Sequence, residues 1–204
     1  MRTTGHRGIW TTVAAVCALA AAVAIGAAAT DRTAPPPHPN VASASAHDRV
    51  PRLSGTSLPR ARPTQVDIPS LGLTATLQEA SLTARGQLPL PTDSTGASWL
   101  SSSAAPGERG TAVLAGHVDT TKGPAAFYQL SAATPGMRVD VARADGTTAH
   151  FVVDAVAVYP RDHFPHSVYE DTPSPSLRLI TCTGWDSNTR TYRDNVVVYA
   201  TLTR

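Results

Sequence analysis

Cysteine and lysine are nearly missing from this sequence: Cys17 and Cys182 are the whole thiol inventory, and Lys122 is the only lysine. A disulfide framework in an exported domain needs paired cysteines within the folded part, and Cys17 lies in an apolar N-terminal run, so Cys182 is left without a partner. Charge is also sparse: 16% of residues are charged, and 17 basic side chains face 15 acidic ones for a net charge of +2. The basic residues are scattered and form no stripe, which excludes the electrostatic footprint of a nucleic-acid binder. There is no dense acidic cluster of the kind calcium requires. His117, Asp119 and Cys182 lack any recognised zinc-ligand spacing, so no metal or other cofactor is expected. No internal repeat is visible. The preference for arginine over lysine is a compositional habit from which nothing functional follows.

What is present falls into three parts. Arg2, His6 and Arg7 precede an uncharged stretch from Ile9 to Ala29, long enough at helical rise to span about 30 Å of bilayer hydrocarbon. The positive flank predicts a cytoplasmic N-terminus over residues 1–8, a single-pass anchor over 9–29 and an extracellular remainder. A cleaved signal peptide is the rival, because the small residues at 27–29 resemble a cleavage site. The stretch exceeds a usual signal-peptide core, which favours retention in the cell membrane. Residues 30–63 turn to Pro, Ala, Ser and Arg, with Pro35, Pro36, Pro37, Pro39, Pro51, Pro59 and Pro63, and read as an extended linker that holds the rest off the membrane.

Residues 64–204 read as one all-β domain. Apolar and β-branched runs recur between turn signals, giving expected strands at Thr64–Ile68, Leu73–Gln78, Thr111–Gly116, Arg138–Arg143, His150–Tyr159, Leu177–Thr181 and Asn195–Leu202. Asp145-Gly146 predicts a tight hairpin turn. Short helical turns are expected at Pro124–Leu130, where proline suits a first helical position, and near His163–Tyr169. Seven strands with little helix favour a closed or nearly closed barrel, because closure removes exposed edges.

An unpaired thiol in an oxidising compartment calls for a reason. Leu177-Arg178-Leu179-Ile180-Thr181-Cys182-Thr183-Gly184 is an apolar run ending in one nucleophile before a turn, which predicts Cys182 at a strand end on the barrel rim. Only the thiolate attacks a carbonyl well, so a basic or cationic neighbour is expected. Val113-Leu114-Ala115-Gly116-His117 has the same design, and an imidazole there can protonate a leaving amine and later take a proton back. His38, His47, His150, His163 and His166 are rivals, since a catalytic Cys and His meet in space and not in sequence. Arg190 and Arg193 lie between Cys182 and the last strand. A guanidinium there suits an oxyanion, and position beside the closing strand makes Arg193 the better candidate.

Ala115-Gly116-His117, then Leu179-Ile180-Thr181-Cys182, then Tyr192-Arg193-Asp194-Asn195-Val196-Val197-Val198 resembles the sortase family in content and order. The family's Thr-Leu-x-Thr-Cys signature stands here as Arg178-Leu179-Ile180-Thr181-Cys182, with Arg178 in place of the first threonine. Gly-His-Val-Asp-Thr and Tyr-Arg-Asp-Asn look most like the actinobacterial class F sortases. The resemblance implies an eight-stranded sortase-type β-barrel and a cysteine transpeptidase acting on exported proteins with a Leu-Pro-x-Thr-Gly-like signal. It cuts between Thr and Gly, holds a thioacyl group on Cys182 and passes it to an amine of a cell-wall precursor or another protein. His117 is then the acid/base, Arg193 the oxyanion and substrate-backbone ligand, and Thr181 a substrate or oxyanion contact. The segment from Tyr159 to Ser176 corresponds to the loop walling the Leu-Pro pocket, and Asp119 organises the loop after His117. Two readings compete: a cysteine peptidase that hands the same thioacyl group to water, and a non-catalytic cell-wall-binding module on a stalk. An L,D-transpeptidase would place glycine, not Thr181, before its cysteine.

Overall fold

The computed structural model describes residues 36–39, 56–84 and 86–203. The expected cytoplasmic N-terminus, the anchor over 9–29 and most of the linker lie outside the described residues, among which no helix is long and apolar enough to cross a membrane.

Among the described residues ten strands are present: β1 (Pro63–Ile68), β2 (Leu73–Ala80), β3 (Gly96–Leu100), β4 (Thr111–Gly116), β5 (Asp119–Thr120), β6 (Gly123–Pro124), β7 (Arg138–Arg143), β8 (Thr148–Pro160), β9 (Ser176–Asp186) and β10 (Thr191–Leu202). Eight of them close into a barrel in the order β1-β2-β3-β4-β9-β10-β8-β7, and β5 and β6 form a separate small hairpin. The expected all-β closed barrel is therefore observed. Periodicity missed β3 in the barrel, besides the two-residue strands β5 and β6. Gly-Ala-Ser-Trp-Leu has no β-branched residue and is buried throughout, so it shows neither strand propensity nor alternation. It runs parallel to β2 and antiparallel to β4, and these two pairings complete the closure.

The strands differ in what they bury, and their sequences show it. β2 alternates Leu73, Ala75 and Leu77 inward with exposed Thr74, Thr76 and Gln78, as a strand with one solvated face must. By contrast, β4, β9 and β10 are near-continuous apolar runs, because both of their faces are covered. Ala112, Leu114, Leu177, Leu179, Val196 and Val198 belong to the barrel interior, whereas Val113, Ile180, Val197 and Tyr199 belong to a second cluster with Leu100, Ala157 and Val168. That second cluster lies on the outer face, under the segment joining β8 to β9. Thr111 holds this segment down, its hydroxyl donating to the Glu170 carbonyl at 2.7 Å and its N–H to Asp171 Oδ1 at 3.1 Å.

The β7–β8 hairpin turns at Asp145-Gly146 as expected, with Gly146 at φ 81°. The helical turn expected over Pro124–Leu130 starts later, as a 3-10 turn at Tyr128–Ala132, because Pro124 pairs in β6 instead of opening a helix. The turn expected near His163–Tyr169 forms as 3-10 turns at Arg161–His163 and His166–Val168. Residues 58–62, proline- and arginine-rich like the expected linker, pack on the barrel. Leu58 N–H donates to Gly107 O at 2.8 Å, Ala144 N–H donates to Arg62 O at 2.8 Å, and the Arg60 guanidinium stacks 5.3 Å from the Trp99 ring centroid. Buried Arg143 also donates to the Pro59 carbonyl.

Candidate active site

β4 and β9 are parallel neighbours, pairing Thr111 with Ser176 and Ala115 with Ile180. Continued by two residues, this register sets His117 level with Cys182. Alternation settles the face as well. Ala112 and Leu114 point inward while Val113 and Ala115 join the outer cluster, so the odd-numbered His117 follows Ala115 outward and Val118 returns to burial. On β9, Leu177 and Leu179 point inward and Ile180 outward, which carries Cys182 to the same outer face.

β9 does not end at Cys182, as the apolar run had suggested. It continues to Asp186, pairing Thr183 with Asp194, Trp185 with Tyr192 and Asp186 with Thr191. The polar residues 183–186 hide this extension from a reading based on hydrophobicity, and Cys182 is thus a half-buried, unpaired thiol within a strand. The Asn195 backbone lies opposite Cys182, so Arg193, two residues earlier on β10, returns to the Cys182 face. Arg193 is exposed and lines an open cavity of about 830 Å³ with Pro160, Arg161, Asp162, Tyr192 and Asp194. Arg190 instead occupies the left-handed region (φ 54°) in the exposed β9–β10 turn, on the far side of Asp186 from Cys182. Of the other histidines, His150 pairs with Asp140 at 2.7 Å on the β7–β8 pair, and His163 pairs with Asp162 at 3.0 Å.

Thr181 does something other than touch substrate. It is 3% exposed, points inward and donates its hydroxyl to the Gly116 carbonyl at 2.8 Å. The bond pins β9 to the last residue of β4 immediately before His117, so the side chain acts on the site through strand registry. The loop after His117 is tied down twice more. Phe127 N–H donates to His117 O at 3.0 Å, and the Tyr192 hydroxyl donates to Asp119 Oδ2 at 2.5 Å. Asp119 therefore organises the loop as expected, with Tyr192 as the partner that sequence spacing had no means of supplying.

Burial pushes the Cys182 thiol above its ordinary range, the Arg161 guanidinium draws it down, and the Asp119 carboxylate pushes it up again. Arg178, where the family signature has threonine, lies over the Tyr199 ring at 4.5 Å, and burial lowers its pKa from the ordinary guanidinium value. Tyr199 in turn shares a 2.9 Å hydrogen bond with the Tyr159 hydroxyl. Among the described residues no group of His, Cys, Asp and Glu side chains is arranged to hold a metal ion.

The closed eight-stranded barrel has counterparts. A sequence model described as the sortase domain matches residues 66–203. The chain belongs to the sortase family, a family of cysteine transpeptidases. Among solved structures, sortase A from Corynebacterium diphtheriae superposes with a TM-score of 0.55 at 20% identity over 72% of this chain and 62% of that one. Sortase C-1 from Actinomyces oris gives a TM-score of 0.53 at 20% identity over 69% of this chain and 73% of that one. Sortase A from Listeria monocytogenes gives 0.52 at 20% identity over 72% and 89%. At these identities the likeness is one of fold. The chain thus spans less than two thirds of the C. diphtheriae protein. No curated protein sequence matches it.

Proposed function

We propose that this chain is a membrane-anchored transpeptidase whose nucleophile is Cys182, whose acid/base is His117 and whose oxyanion ligand is Arg193. The observation that supports the reading is the parallel β4–β9 register, with Ala115 opposite Ile180, which continued by two residues would set His117, just past the end of β4, level with Cys182. The substrate is an exported protein with a Leu-Pro-x-Thr-Gly-like signal. The Cys182 thiolate attacks the threonine carbonyl, Arg193 takes the charge that develops on its oxygen, and His117 gives a proton to the departing glycine amine. An incoming amine, from a cell-wall precursor or another protein, then adds to the thioester, loses its proton to His117 and releases the Cys182 sulfur. The thioester retains the acyl energy, so the exchange needs no ATP, in keeping with a domain held outside the cell by an N-terminal anchor. Gly-His-Val-Asp-Thr and Tyr-Arg-Asp-Asn support a class F assignment. The β8–β9 segment, fixed over the outer face by Val168 and by Thr111, is suited to wall the pocket for the signal's apolar residues.

The test is cleavage of a quenched fluorescent Leu-Pro-x-Thr-Gly peptide by the full-length protein in detergent, with and without a primary amine, beside Cys182→Ala. Cleavage that requires Cys182 and yields the amine adduct is the expected result. Hydrolysis alone at saturating amine would make the protein a peptidase, and wild-type cleavage by Cys182→Ala would remove the nucleophile assignment.

A further inference from the structure

Arg161 belongs to none of the motifs that mark the family resemblance, yet the fold brings it to the site. β8 pairs with β10 through Tyr159 opposite Asn195 and Pro160 opposite Asp194, and β10 pairs with β9 through Asn195 opposite Cys182. Tyr159, Asn195 and Cys182 therefore form one row across three strands. Tyr159 packs against the outer cluster, so its side chain shares the Cys182 face. Arg161 follows two residues later, immediately after β8, where that strand turns away into Arg161–His163. Its guanidinium folds back over β10, and Nη1 donates to the Tyr192 carbonyl at 3.1 Å. With Arg193 it frames the cavity of about 830 Å³, and among the described residues neither arginine has an ion-pair partner within 4.0 Å. β9 offers no side chain in this corner, because residue 184 is glycine (φ 70°) with Asp194 Oδ2 only 2.4 Å from where a Cβ would stand.

We propose that Arg161 is the cation that holds the Cys182 thiolate once its proton has left, with Arg193 reserved for the oxyanion on the substrate. The proposal rests on Cys182 as nucleophile. The charges around the sulfur are few. The segment after β4 brings His117 and Asp119, β10 brings Tyr192, Arg193 and Asp194, and the turn after β8 brings Arg161 with the Asp162–His163 pair. Burial raises the thiol's pKa most, and against it the Arg161 guanidinium draws the pKa down while the Asp119 carboxylate pushes it further up. Asp119 is held in its opposing place by the Tyr192 hydroxyl. Two arginines near one sulfur thus differ in what they serve, since Arg161 bears on the free enzyme and Arg193 on the acylation transition state.

The test is the pH profile of iodoacetamide alkylation of the full-length protein in detergent, read at the Cys182 peptide by mass so that Cys17 does not contribute. The thiolate displaces iodide, so the rate follows the thiolate fraction. For Arg161→Gln the midpoint moves to higher pH and alkylation at neutral pH slows about tenfold, the effect of losing one unit charge several ångströms from a half-buried sulfur. Arg161→Lys keeps the wild-type profile, Asp119→Asn moves the midpoint to lower pH, and Arg193→Gln leaves it in place while peptide turnover falls. An unchanged midpoint in Arg161→Gln, or an equal shift in Arg193→Gln, would overturn the proposal. If Arg161→Gln fails to fold, an unchanged Asp119→Asn profile has the same force, since both charges act in one balance. Peptide cleavage retained by Cys182→Ala would sink the nucleophile assignment without altering this titration, so the two failures are distinguishable.

Discussion

Gly116→Ala perturbs the site without touching any group that reacts. Gly116 ends β4, its carbonyl accepts the Thr181 hydroxyl at 2.8 Å, and the next residue is His117. A Cβ at position 116 would stand 2.8 Å from Phe127 Cγ and 2.9 Å from Cδ2, well inside contact distance. The Phe127 ring is fully buried and its N–H is bonded to the His117 carbonyl, so neither partner can yield freely. Overpacking of this kind costs about 1–3 kcal/mol, which for a domain of this size lowers Tm by roughly 3–10 °C. The strain falls on the residue that aims His117, and a displacement of about 1 Å there costs on the order of a hundredfold in kcat. Differential scanning calorimetry and peptide turnover read the two effects separately. Phe127→Leu shortens the obstructing ring, so the pair of substitutions should be less destabilising than the sum of the singles, a coupling that a double-mutant cycle resolves. Gly116→Ala with wild-type Tm and kcat, or strict additivity in the cycle, would refute the argument that packing at Phe127 positions the imidazole.

Thr181→Val keeps the shape of the side chain and removes the hydroxyl from the buried Gly116 carbonyl. The loss should be about 1–3 kcal/mol in urea unfolding, with kcat falling while KM holds, because the effect passes through His117. Arg143→Met removes buried donors to Thr147 at 3.2 Å and to the Pro59 carbonyl. Stability should drop by about 1–3 kcal/mol, and limited proteolysis should cut earlier within residues 56–62. Cys182, Tyr169, Tyr192 and Tyr199 all have pKa values raised by burial above their ordinary ones. A raised folded pKa gives stability that is whole below the unfolded value and is lost as pH climbs through the folded one. Tm should therefore be level to about pH 8.5, the ordinary thiol value, and fall above it. Cys182→Ala should remove the first part of that fall, which a pH series of melts would reveal or exclude.

Most of the barrel was legible because β4, the first part of β9 and the last part of β10 are covered on both faces and so are written as near-continuous apolar runs, while β2 alternates. The three residues proposed for the site stand in short motifs near such runs, and for them the resemblance to a family supplied what spacing cannot. β3 was not legible, because its five residues are stabilised by neighbours on both sides and not by their own propensity. The continuation of β9 past Cys182 was hidden for the same reason, its polar residues being held by the facing end of β10.

The sequence by itself determined that the domain is all-β and that its single thiol follows an apolar run. These follow from composition, period and local order, which any stretch of chain carries within itself. Tertiary structure alone decided that β4 and β9 lie side by side, that Thr181 is a pin between strands, that Tyr192 restrains Asp119, and that Arg161 folds back onto the Tyr192 carbonyl beside Arg193. Each of these depends on how strands register against one another across the sheet, and register is settled by closing the barrel around one core.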